Sequence, residues 1–176
     1  MNKSKNFQVI NILFNNSNLT KIRQKYDPCY NPHIKNHLTL VYPFYVEDKL
    51  LLINHIKKSI SKIKPFNIYF SGLRESTKEY YLYLLVSKGK KQVISLYKNL
   101  NSGILKNFKN KDMPVYIPHI SLGCFKTKAS LEESKKQLKK IKINFSQKIS
   151  SIQLLTIGEN NKIIDKKTFK LREKLK

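Results

Sequence analysis

His37-Leu38-Thr39-Leu40-Val41-Tyr42-Pro43-Phe44 and Pro118-His119-Ile120-Ser121-Leu122-Gly123 decide how this chain is read. Each stretch holds a histidine, an aliphatic residue, a hydroxyl residue and a second aliphatic. Successive side chains of a β-strand point to opposite faces, so histidine and hydroxyl share one face and the aliphatics turn to a core. Two such strands side by side offer two imidazoles and two hydroxyls to one cleft. That inventory suits acid–base work on a phosphate, because imidazole titrates nearest neutrality and serves both halves of a proton transfer. Hydroxyls can hydrogen-bond the non-bridging oxygens as charge develops.

Working outward, Phe7–Phe14 is expected to be a strand and Ser17–Tyr26 a short helix. Asp27-Pro28-Cys29-Tyr30-Asn31-Pro32 is turn chemistry. Glu47–Ile63 is read as a helix with Leu52, Ile53, Ile56, Ile60 and Ile63 on one stripe, closed by Pro65. Phe66–Leu73 and Glu79–Val86 read as a hairpin joined by a polar turn, and Lys90–Phe108 as a helix weakened near its end by Gly103. A basic loop with Pro114 leads to the second histidine strand, Val115–Phe125. Ser130–Ile141 is a helix whose Ser130 and Glu133 stand at capping-box spacing. Ile143–Ile157 and Lys162–Leu171 are expected as strands joined around Gly158-Glu159-Asn160-Asn161.

This order is no strict strand–helix alternation, so an α+β fold with mixed or antiparallel sheets is expected rather than a doubly wound one. Each half carries a histidine strand, then a helix, then a hairpin, with no linker between halves. Residues 1–176 are therefore read as a single domain of two lobes.

The 176 residues suffice for a real core, and a 40% hydrophobic content with ten Tyr and nine Phe opposes disorder. The formal charge is +24, almost all from lysine, with only 11 acidic residues. An AT-rich genome accounts for lysine and asparagine but would enrich glutamate too, so a polyanion-attracting surface is an equal reading. Two cysteines, Cys29 and Cys124, make no disulfide framework and point to a reducing, cytoplasmic setting. On an ideal strand Cys124 faces away from His119 and Ser121 into the core. No segment has the length of a transmembrane helix or a good signal-peptide core.

His33 lacks a hydroxyl two residues on, and His55 flanks a helical stripe, so neither is expected to be catalytic, although His33 can stand near the cleft mouth. No carboxylate or thiolate sits at metal spacing beside His37 or His119, and no metal or cofactor is expected. Tyr42, Phe44 and Tyr116 flank the motifs and are candidates to stack on a base, with core packing the competing reading for Phe44. Lys126 and Lys35 are candidates to approach phosphate.

Taken with their flanking residues, the two motifs resemble those of the 2H phosphoesterase superfamily, in its bacterial 2′-5′ RNA ligase or RNA 2′,3′-cyclic phosphodiesterase branch. The resemblance implies two lobes related by a pseudo-twofold axis, sheets lining a central cleft and helices outside. It implies metal-independent chemistry on 2′,3′-cyclic phosphates or 2′-5′ linkages, with His37 and His119 as the acid–base pair and Thr39 and Ser121 as phosphate binders. By analogy His119 is the base and His37 the acid. Ser121 stands where Thr is common but keeps the hydroxyl, and lysine stands in for scarce arginine with less bidentate geometry. The expected partner is an RNA or nucleotide phosphodiester, met by a monomer without membrane attachment. Two other readings are a non-catalytic RNA or cyclic-nucleotide binding module using the same cleft, and an enzyme for a non-RNA phosphodiester.

Overall fold

A computed structural model describes residues 6–76, 79–108, 115–141 and 143–172. Pro114 and the residues just before it lie outside the described residues. The chain runs β1 (Phe7–Leu13), α1 (Ser17–Tyr26), β2 (His37–Phe44), α2 (Lys49–Ile60), β3 (Phe66–Glu75), β4 (Tyr81–Lys88), α3 (Lys90–Leu100), β5 (His119–Cys124), α4 (Lys128–Lys139), β6 (Phe145–Ile149), β7 (Ser151–Ile157) and β8 (Ile163–Lys170). The strands form two four-stranded sheets, β2-β1-β7-β8 and β5-β4-β3-β6. Every pairing within them is antiparallel, so among the described residues the antiparallel one of the two expected sheet types is found.

The fold is α+β, and its two sheets are built alike. Each ends in a histidine strand, β2 or β5, and these two edge strands pack against each other. The hairpins are exchanged. The β3–β4 hairpin, which follows the first histidine strand, completes the sheet of the second, while β7 and β8 complete the sheet of the first. Phe14 just past β1 meets Phe70 of β3 edge-on at 5.2 Å, and Phe70 stacks on Phe145 of β6 at 4.6 Å. These rings join the sheets within one core that also takes Leu52, Ile56, Val93, Leu96 and Leu131 from the helices.

Helix starts follow capping chemistry. Asn16 Oδ1 accepts from Leu19 N at 2.9 Å, and Asp48 Oδ1 from Leu51 N at 2.9 Å. The start of α4 differs from the sequence reading. Thr127 Oγ1 accepts from Ser130 N at 3.2 Å, so the cap lies three residues before the expected one and Glu133 pairs with Gln137 instead. A single helix over Lys90–Phe108 is also corrected. α3 ends at Leu100, and Gly103 enters a separate 3₁₀ turn at φ +51°, a conformation that suits glycine.

The expected single strand over Ile143–Ile157 is two strands in different sheets, with Ile149 opposite Phe66 and Ser151 opposite Lys170. The β7–β8 turn has Asn160 and Asn161 at φ 56° and 60°, the left-handed region asparagine tolerates. Among the described residues no helix is long and apolar enough to cross a membrane.

Candidate active site

The two histidine strands bury their residues in the same rhythm. From His37 to Tyr42 and from His119 to Cys124 the order is half-buried, buried, half-buried, buried, buried, half-buried. Leu38, Leu40, Ile120 and Leu122 fill the core, while His37, Thr39, His119 and Ser121 keep the other face. The doubled buried pair marks a register shift in each strand, near Leu40–Val41 and near Leu122–Gly123. Such a bulge returns the sixth residue to the face of the first. Tyr42 and Cys124 are therefore equivalent positions beside their histidines. The expectation that Cys124 lies in the core fails for this reason: it is half-buried and interacts with the side chains of Tyr81 and Cys29.

Each imidazole is held in the same way. His37 Nδ1 lies 2.7 Å from the Lys35 carbonyl oxygen, and His119 Nδ1 lies 2.7 Å from that of Ile117. A carbonyl only accepts, so Nδ1 carries the proton in both rings and Nε2 is the nitrogen left for chemistry. Burial lowers the pKa of both histidines, opposed by these carbonyl bonds. The Arg23 charge lowers His37 further, and His37 itself lowers His119. The two imidazoles therefore sense each other's charge, and a proton on one disfavours a proton on the other.

Their supports differ. Arg23 and Asp27, at the end of α1, form a buried ion pair at 3.4 Å. Arg23 donates to the Ile34 carbonyl at 3.1 Å, and Asn36 Nδ2 to Thr20 Oγ1 at 2.8 Å, fixing the segment that carries the Lys35 carbonyl. Asp27 Oδ1 also accepts from the backbone N–H groups of Cys29 at 3.1 Å and Cys124 at 3.0 Å, tying this loop to β5. His119 is held by aromatic rings: Tyr83 lies 3.9 Å from it between ring centres, and Tyr81 extends that row.

The other sequence candidates separate. Tyr42 faces the cleft, its phenol pushed up to about 12 by burial and then by Tyr83 and Tyr97, so it stays protonated. Tyr116 stacks on Tyr97 at 3.8 Å and donates to the Thr39 carbonyl at 2.6 Å, which makes it a strut between the histidine strands. Phe44 is corrected to the core. It is 3% exposed and lies against Phe108, out of reach of a ligand. Lys126 is exposed just past β5, and Lys35 lines the cavity beside His37. His33 also lines that cavity, whereas His55 bonds the Leu100 carbonyl at 2.9 Å. Tyr81, Tyr83 and Tyr97 were invisible to motif reading, because only their place on β4 and α3 brings them to the cleft. Among the described residues no group of three His, Cys, Asp or Glu side chains could hold a metal ion.

A family model described as the 2′-5′ RNA ligase superfamily matches residues 14–161. A search of curated proteins finds no match. Solved structures with this fold include a protein of Thermus thermophilus, at TM-score 0.64 and 14% identity, covering 95% of this chain and 100% of that one. E. coli LigT complexed with 3′-AMP gives TM-score 0.61 at 14% identity over 95% of each chain. A structure described as a phosphoesterase gives 0.66 at 14% identity over 96% of this chain and 99% of that one.

Proposed function

The chain belongs to the 2′-5′ RNA ligase superfamily, and we propose that within it the protein is a phosphodiesterase for 2′,3′-cyclic phosphate ends or 2′-5′ linkages of RNA or small nucleotides. The observation that carries this reading is the matched tautomer lock, which leaves Nε2 of both His37 and His119 available on neighbouring edge strands. Cleavage needs a base at the incoming oxygen and an acid at the leaving one. Neutral His119 takes a proton from water as the water oxygen bonds to phosphorus. The bond from phosphorus to a ribose oxygen breaks, and protonated His37 delivers its proton to that oxygen. Thr39 and Ser121 hydroxyls donate to the non-bridging oxygens, where negative charge grows. With the hydroxyl of a second RNA end in place of water as the nucleophile, the same pair would join ends.

The lowering of the His119 pKa by the His37 charge supports this division of labour, since a pair that resists double protonation holds one proton between its members over a range of pH. Binding of 3′-AMP by E. coli LigT fits a nucleotide in this cleft. Both proton transfers are supplied by imidazole, so the reaction is expected to proceed in excess chelator. The reading takes the whole chain as one two-lobed domain, acting as a monomer in a reducing, cytoplasmic setting.

The test is to incubate the protein with 2′,3′-cyclic nucleotides, cyclic-ended RNA and 2′-5′ oligomers in excess chelator, and to identify the product. A phosphomonoester from at least one substrate is expected. No turnover of any, with RNA still bound, would instead establish a binding module.

A further inference from the structure

The face of the first sheet that carries His37 and Thr39 continues into a cavity of about 210 Å³. Its far wall is apolar, made by Val9, Leu13, Leu155, Ile157 and Ile163. Two polar side chains join that wall, the exposed Asn161 and the buried Asn11. Asn11 of β1 stands directly opposite Thr39 of β2 and is only 5% exposed, and its Oδ1 has no hydrogen-bond partner. Gln153, its neighbour on β7, is committed elsewhere: Oε1 accepts from Leu13 N at 3.2 Å and Nε2 donates to Ser151 Oγ at 3.1 Å. Leaving a buried acceptor unsatisfied is costly, and an aliphatic residue would suit the strand and the wall better. The feature calls for a ligand that brings a donor.

We propose that Asn11 is a specificity-determining residue that accepts a hydrogen bond from the exocyclic amino group of an adenine or cytosine base seated in this cavity. The proposal rests on the reading above, in which the phosphate lies at Thr39 and the two histidines. A phosphate oxygen only accepts, so it leaves the unpaired Oδ1 of Asn11 without a donor. A ribose hydroxyl could donate, but has no use for the apolar wall. A base has apolar faces and a polar edge, which matches an apolar wall that holds one buried, unpaired acceptor. Directly opposed cross-strand side chains have Cβ atoms about 5 Å apart, so a base joined through its ribose to a phosphate at Thr39 comes within reach of Asn11. The volume is below the roughly 300 Å³ at which pockets for larger ligands begin, and suits a single base.

The experiment is calorimetric binding of 3′-AMP, 3′-CMP, 3′-UMP and inorganic phosphate to wild type, Asn11→Leu and Asn11→Asp, with turnover of the matching cyclic nucleotides read separately. Wild type should bind 3′-AMP and 3′-CMP about tenfold more tightly than 3′-UMP, the worth of one such bond. Asn11→Leu should lose that tenfold for the amino-bearing bases and leave inorganic phosphate unaffected, while Asn11→Asp keeps the preference. Asn11→Val is the substitute if the leucine variant does not fold. Equal affinity for the three nucleotides in wild type, or a preference that survives in Asn11→Leu, would overturn the proposal. Selective binding without turnover would defeat the phosphodiesterase reading and leave the role of Asn11 intact. Turnover without base preference would do the reverse.

Discussion

His37 and His119 make the same bond to a carbonyl two residues upstream and sit on strands with the same burial rhythm, yet different chemistry braces them. The segment before His37 is held by a buried ion pair and its hydrogen bonds, centred on Arg23 and Asp27. His119 is held by tyrosine rings, with Tyr83 against it and Tyr81 stacked beyond. What repeats is set by the strand backbone and a bulge. What differs lies in the side chains behind it. The site's geometry can therefore be kept while its supports change, and the two halves should fail differently when cut.

The largest expected effect ignores the difference. His37→Ala and His119→Ala should each lower kcat by about 10²–10⁴, the usual worth of a positioned acid or base, with little change in melting temperature. One variant retaining full activity would break the equivalence of the two rings. Next is Asp27→Ala, which leaves Arg23 charged and unpaired in the core. Urea unfolding should show a loss of about 3–5 kcal/mol, because breaking a buried pair exposes the full cost of burying its partner.

Beside His119, Tyr83→Leu should cost only about 0.5–1.5 kcal/mol, the worth of a ring contact, while freeing the His119 ring to reorient and lowering kcat more than it raises KM. Tyr116→Phe removes one hydrogen bond to the Thr39 carbonyl and should cost about 1 kcal/mol. Equal losses for Asp27→Ala and Tyr83→Leu would erase the contrast between the two supports.

The smallest effect is one of pH. Both histidines have folded pKa values below the ordinary 6.5, so on acidification the unfolded chain binds their protons first. Stability is fully present above that value and declines as pH falls through the lowered folded values. Thermal melts from pH 7 to pH 5 should show the decline, and a His37→Ala/His119→Ala variant should show a shallower one.

Much of this arrangement could be read from residues alone. The repeated histidine–hydroxyl spacing placed four side chains on one face of two strands, and α1 follows its sequence limits, Ser17–Tyr26. The bulges were not legible, since Leu40-Val41 and Leu122-Gly123 look like ordinary strand sequence, and without them Cys124 was put in the core. The break at Ser150 was hidden for a similar reason. The residues on both sides of it favour strands, and only the two separate partners, β3 and β8, divide them. Tyr83 carries no motif at all. Its role comes from pairing with Ser121, which sets it beside His119.

The most direct test of two-histidine catalysis is the pH dependence of kcat/KM for a turned-over cyclic nucleotide, measured for wild type and both single histidine variants. The predicted result is a bell whose optimum lies on the acid side of the ordinary imidazole value, because both rings are shifted down, and residual activity in each variant that has lost one limb. A flat wild-type profile, or a full bell surviving in either His→Ala variant, would contradict it.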